Sequence, residues 1–319
     1  MSDYLLHGGT LALAWFLLVN IVMSAAVAAW ARRMTIEHGA RSAAFWFALR
    51  VLPATAALLF VAGVFVPSYW KYEPREFVEG FDVTLTALAL GSTAVIIAGV
   101  ARGAGAWRNA ARRTQYWMQT AQPLALAGTQ LAAYEIDSGA PIMALVGVFR
   151  PRLLVTRGLV GALTDDELAA SVAHEVGHSR AWDNLKRLLM RAAPDVLAST
   201  AAARAIERRW ASASEHSADR MAGSDSPVAR CALASALVKV ARLTLTVTPI
   251  AEPISTLVDG GEIVSRVERL LADAAPPVRR RSVLGCTSLV LLVIAAAASY
   301  GPLLRLVHSA TEVLVHSLP

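Results

Sequence analysis

The stretch Ala173-His174-Glu175-Val176-Gly177-His178 stands mid-chain in an otherwise apolar, alanine-rich sequence. On an α-helix, residues four apart lie one turn apart on the same face, so His174 and His178 can ligate one ion. Glu175 follows the first of them, close enough to hold a water molecule beside that ion. The spacing predicts a helix built for metal chemistry. The chain around it is built for a membrane, and the two have to be reconciled.

Working outward, the helix has a start signal. Thr164 stands where an N-cap belongs, Glu167 three residues on completes a capping box, and Asp165 and Asp166 suit the positive end of the helix. A catalytic zinc needs a third protein ligand and one open position. The candidate is Glu215 in Glu215-His216-Ser217-Ala218-Asp219, on a second expected helix. Asp219, its i+4 neighbour, can accept a hydrogen bond from the distal nitrogen of a ligand histidine and fix its tautomer. His216 competes with Glu215 as ligand but points about 100° away from it around the helix. Zinc lowers the pKa of water, and Glu175 is placed to take the proton as that water attacks a peptide carbonyl. Asp183 and Asn184 are either supports for the ligands or the N-cap of the next helix.

Before this helix, TQLAAYEI, IMALVGVF and LLVT, bounded by Asp, Gly and Pro, predict two or three short strands. After it come helical stretches from Asp183-Asn184 to Pro194, from Ala203 to Gly223, after Pro227, and around SRVERLLADA, which Pro276-Pro277 stops.

The chain has 319 residues, 55% of them hydrophobic and only 17% charged. Soluble domains are typically about a quarter charged, so the depletion is that of a membrane protein. Four runs are long enough for the roughly 20 residues that a span needs: about 5–31, 51–70, 83–101 and 283–307, the last with Gly301-Pro302 placed to kink or end it. The first has no basic residue before it, unlike a cleaved signal peptide. Arg50 and Trp70 are expected near opposite interfaces, and Arg108–Gln119 as a basic linker leaving the membrane. Arg32, Arg33 and Arg41, then Arg102, Arg108, Arg112 and Arg113, then Arg279, Arg280 and Arg281 all fall on one side by the positive-inside rule. Segment 102–282 is thereby expected in the cytoplasm, with both termini and the acidic loop KYEPREFVEGFD outside. The same placement accounts for the net charge of +6, and no nucleic-acid motif is present. Cys231 and Cys286 suit neither a disulfide nor a metal set and are expected as packed thiols.

The predicted fold is an α-helical membrane protein: three spans within 1–101, an α+β zinc peptidase domain at 102–282, then a fourth span and short external tail at 283–319. LLVTRGLVGALTDDELAASVAHEVGHSRAWDN, followed by EHSADRMA and SRVERLL, resembles the gluzincin-type membrane metallopeptidases, and among them the BlaR/MecR group, with the same order of spans. The resemblance implies zinc at His174, His178 and Glu215, Glu175 as general base, and Asp183, Asn184 and Asp219 in support. It matches Arg266 to a recurring arginine that either touches substrate or holds its helix by a salt bridge. It also implies the bacterial cytoplasmic membrane, a protein substrate in the cytoplasm such as a transcriptional repressor, and self-cleavage in the linker at 273–282. One departure stands out: no SxxK motif follows the fourth span, so direct β-lactam sensing is not expected.

Two rivals remain. The HtpX and CAAX-prenyl proteases share HExxH and a later ExxxD and act in quality control or processing; the order of spans favours BlaR/MecR over them. A non-cutting receptor that keeps a zinc site is disfavoured by the intact Glu175. For the oxyanion stabiliser, Arg266, His216 and Tyr134 stay open.

Overall fold

The computed structural model describes residues 2–33, 42–74, 83–223, 226–245, 260–272, 299–313 and 315. It is mostly helical, with three long apolar helices and one small mixed sheet.

The first long helix, α1, is Ser2–Arg33. The second is a continuous rod of α2 (Ala43–Phe60), a π-helical turn Val61–Phe65, and α3 (Val66–Tyr72). It is started by Ser42, whose side chain accepts from the Phe45 N–H. Pro67 has no N–H to offer the carbonyl of Gly63, and the Tyr300 hydroxyl donates to that carbonyl instead at 2.7 Å. The third, α4, runs 36 residues from Val83 to Met118. All three are long and apolar enough to cross a membrane. At 1.5 Å per residue α4 is about 54 Å long, against a hydrocarbon core of about 30 Å. Residues 108–118 are therefore not a separate linker but the unbroken end of α4, because its alanines and arginines favour helix even where they no longer favour lipid.

Of the fourth expected span, 283–298 lies outside the described residues, as do the linker 273–282 and Cys286. Residues 299–313 are helical, so Pro302 does not end the helix. They pack on α1 and the second rod: Ser68 Oγ donates to the Leu304 carbonyl at 2.6 Å, and Trp15 Nε1 to Thr311 Oγ1 at 3.1 Å.

The sheet has four strands rather than two or three: β1 Gln122–Leu124, β2 Ala132–Ile136, β3 Met143–Val146 and β4 Arg152–Thr156. The order is β1-β2-β4-β3, with β2 and β4 parallel and the other pairs antiparallel. Its buried residues Ala133, Met143, Leu153 and Val155 pack with Leu159, Val172, Ala236 and Val240. Those come from the short helix α5 (Arg157–Ala162), α6 (Asp165–Arg180), which carries the quoted stretch, and α9 (Pro227–Leu245). Between them run α7 (Asp183–Ala192), a 3-10 turn Val196–Ser199 and α8 (Ala201–Ala222); α10 (Gly260–Leu271) closes the far side. Cys231, on α9, is exposed rather than packed.

Candidate metal centre

The capping box forms as its residues predict. Thr164 N–H donates to Glu167 Oε2 at 2.8 Å, and Glu167 N–H returns to Thr164 Oγ1 at 3.4 Å. Serine and lysine of α9 extend it, with Ser235 Oγ and Lys239 Nζ each 2.6 Å from the Glu167 carboxylate. The N-terminal turn of α6 is thereby fastened to α9, and the helix presents His174, Glu175 and His178 on its buried side.

Helix α8 crosses beside it at close range. A Cβ at Gly177 would lie 3.2 Å from the Ala218 Cα, so glycine between the histidines lets α8 approach. Ala218 sits between Glu215 and Asp219, and that approach brings both carboxylates to the histidines. His174 Nε2 is 3.4 Å from Glu215 Oε2 and His178 Nε2 is 3.5 Å from Glu215 Oε1. Among the described residues, His174, His178 and Glu215 form a group able to hold one metal ion, and His216 is not in it.

Each histidine is fixed from behind. His178 Nδ1 lies 2.8 Å from Asp183 Oδ2, and His174 Nδ1 lies 3.0 Å from Asp219 Oδ1. An ionised carboxylate only accepts, so an Nδ1–H facing Asp183 leaves the His178 Nε2 lone pair for an ion, and the Asp219 carboxylate beside His174 Nδ1 favours the same tautomer there. Those Nε2 atoms face each other at 3.1 Å, with the Glu215 carboxylate beside them. Three electron-pair donors converging in a buried place need protons or a metal cation between them, and a nitrogen-nitrogen-oxygen set fits zinc. Without an ion the same side chains share protons instead. Burial alone would raise the Glu215 carboxyl, but its bonds to His174 and His178 hold it far below the usual carboxylate range. Burial alone would lower His178, but Asp183 and Glu215 push it up to about 10, so a metal ion has to displace its Nε2 proton. Burial pushes the Glu175 carboxyl up, the direction that suits a group taking and returning a proton.

The remaining candidates divide. Asp183 backs His178 and is not a helix cap; the cap position is Trp182, whose φ of 57° is left-handed. Asn184 touches no ligand: its Nδ2 donates to the carbonyls of Leu145 at 3.1 Å and Gly147 at 2.9 Å, along the open edge of β3. Arg266 is an ion-pair residue, with Nε 2.8 Å from Asp219 Oδ2 and Nη1 3.0 Å from Glu215 Oε2. It braces Glu215 and Asp219 together. Tyr134 is in β2, with the Arg152 guanidinium 5.9 Å from its ring.

The sequence did not point to Ser214, whose hydroxyl donates to Asp183 Oδ2 and lies 3.4 Å from His178 Nδ1. Its place one residue before Glu215 was the available signal.

Residues 106–261 match peptidase family M48. The match takes in the end of α4, the sheet and the three converging side chains, so this part of the chain is similar to the M48-family metallopeptidases and is joined to helices that could span a membrane. No curated protein matches the chain. The M48 match carries the metalloprotease assignment; the likeness to BlaR/MecR rests on the residues quoted above.

Proposed function

We propose that this chain is a membrane-anchored zinc endopeptidase that cuts a protein on the cytoplasmic side of the bilayer. The observation that supports it most is the convergence of His174, His178 and Glu215 with both Nδ1 atoms backed by carboxylates. A zinc ion bound there supplies a Lewis acid that polarises a peptide carbonyl and acidifies water. The chain does the rest. Glu175 takes the water's proton and delivers it to the leaving amine. Asp183, Ser214 and Asp219 hold the histidines in one tautomer, and Arg266 keeps Glu215 and Asp219 in place.

The BlaR/MecR likeness suggests a repressor as substrate and regulated signalling as the role, with self-cleavage in 273–282. A second substrate class, membrane proteins or processed tails, is favoured by how closely the metal side chains are joined to the long helices, described below. The chemistry is tested with Glu175→Gln, which should keep zinc and lose proteolysis, beside His174→Ala, His178→Ala and Glu215→Ala, which should lose zinc. Full activity in Glu175→Gln would overturn the mechanism. Reporters after Arg113 and near Glu76 should read cytoplasmic and external; the reverse would end the repressor assignment. Masses of wild type and Glu175→Gln, compared after expression, test self-cleavage: a fragment ending near Arg281 should appear in wild type alone.

A further inference from the structure

The sequence places Arg50 at a membrane interface, but it is 1% exposed and faces the peptidase elements. Its guanidinium serves three acceptors: the Met190 carbonyl at 3.0 Å, Asp195 Oδ2 at 2.8 Å and Glu207 Oε1 at 2.9 Å. Met190 is in the last turn of α7, Asp195 caps the 3-10 turn that follows, and Glu207 is on α8. These are the helices that carry Asp183 and Glu215.

The contacts between α7 and α8 form a ladder. Asp183 meets Ser214, the Arg187 guanidinium lies 5.5 Å from the Trp210 ring centroid, and Met190 and Glu207 meet through Arg50. Each step along α7, from 183 to 187 to 190, is matched by an equal step back along α8, from 214 to 210 to 207. The two helices run antiparallel, separated by long side chains. The metal side chains are at one end, and the last rung is supplied from the second membrane helix.

The other long helices grip the same place. Asn20 of α1, fully buried, donates to the Pro194 carbonyl at 2.9 Å and accepts from the Val196 N–H at 3.0 Å. On α4, Arg102 Nη2 donates to the Ala193 carbonyl at 2.9 Å. A Cβ at Gly99 or Gly103 would come within 2.8 Å of the Ala192 carbonyl oxygen or 2.7 Å of the Ala192 Cβ. All three long helices thus hold residues 190–196.

We infer that Arg50 is a positioning residue for the metal centre, setting the separation of α7 and α8 and so the meeting of His178, backed by Asp183, with Glu215. The inference rests on the metal site proposed above. Lysine keeps the charge but offers a point donor where the arginine fork spans three acceptors.

The full chain, purified in detergent, is tested as wild type, Arg50→Lys, Arg50→Gln and Leu11→Ala. Leu11 is fully buried at the opposite end of the long helices and serves as a destabilised control. Zinc affinity is measured by competition with a chromogenic chelator, ligand geometry by the visible spectrum of the Co²⁺ form, and folding by melting of the metal-free protein. Arg50→Lys should bind zinc about tenfold more weakly and shift the Co²⁺ bands, at temperatures where it is fully folded. Arg50→Gln should do so more strongly. Leu11→Ala should lower the melting point and leave affinity and spectrum alone. If both Arg50 variants bind zinc and Co²⁺ as wild type does, whatever their melting points, Arg50 is structural only and the inference fails. If wild type itself binds neither ion, the metal-site reading fails, and that outcome is distinct because no affinity exists to be weakened.

Discussion

The two ends of the long helices are held together by different forces. At one end Tyr4, Leu11, Ala14, Phe65, Tyr69, Leu85 and Val307 form a mainly apolar cluster whose hydrogen bonds are between neutral groups, Tyr69 Oη to the Tyr4 carbonyl at 2.9 Å and Ser68 Oγ to the Leu304 carbonyl at 2.6 Å among them. The ion pair there is loose: His308 Nδ1 is 3.7 Å from Glu73 Oε2, with both side chains partly exposed. At the other end Asn20, Arg50 and Asp195 are buried and hydrogen-bonded. Apolar contact is non-directional and tolerates a small slide. A forked, charge-assisted set of hydrogen bonds fixes distances and directions. The end that needs fixed distances is the end that leads to the metal side chains.

The largest effect should come from the polar end. Asp195→Ala leaves Arg50 short of one buried partner and uncaps the 3-10 turn, and should cost about 3 kcal/mol in denaturant unfolding. It should also weaken zinc binding, whereas a stability loss with unchanged affinity would count against the contrast. Next is Leu11→Ala at the apolar end, at about 2 kcal/mol. If it also lowered zinc affinity, the two ends would not be independent.

A smaller effect sharpens the comparison from outside both ends. Burial alone would raise the Glu167 carboxyl, but Lys239, Ser235 and the Thr164 N–H hold it at about 2, against 4.5 for an unperturbed one. A carboxyl depressed in the folded state stabilises above the unfolded pKa, and that contribution is lost as pH falls through the folded one. The stability advantage of wild type over Glu167→Gln should therefore shrink between about pH 4.5 and pH 2, read from melting points of the metal-free protein. An advantage that stayed flat over that window would show that the Lys239 and Ser235 bonds do not survive in solution. Smallest of all, Glu73→Gln should change stability by under about 0.5 kcal/mol, because exposed ion pairs contribute little. It should leave the zinc content of the purified protein unchanged, although Glu73, His308 and Glu312 also converge.

What the sequence shows of this molecule follows the range of its interactions. His174 and His178, Glu215 and Asp219, and Thr164 and Glu167 are pairs three or four apart, so helical geometry alone brings them together. The three long helices are legible because hydropathy is a property of a run. Their ends are not, since alanine and arginine keep α4 helical past the lipid limit. The strand β1 is only three residues with a proline among them, too short for any alternation to register. Arg50 looks like an interface anchor because its partners Asp195 and Glu207 are 145 and 157 residues away. Asn20 gives no signal at all within an apolar run; only the fold shows that it binds Pro194 and Val196.

Helix α7 has ten residues, and they join the charged clamp of Arg50 and Asp195 to Asp183 beside the metal side chains. Ten residues of helix measure about 15 Å. The helix is therefore a strut: a displacement of its Arg50 end along the axis moves Asp183, and with it the carboxylate behind the His178 ring, by the same amount.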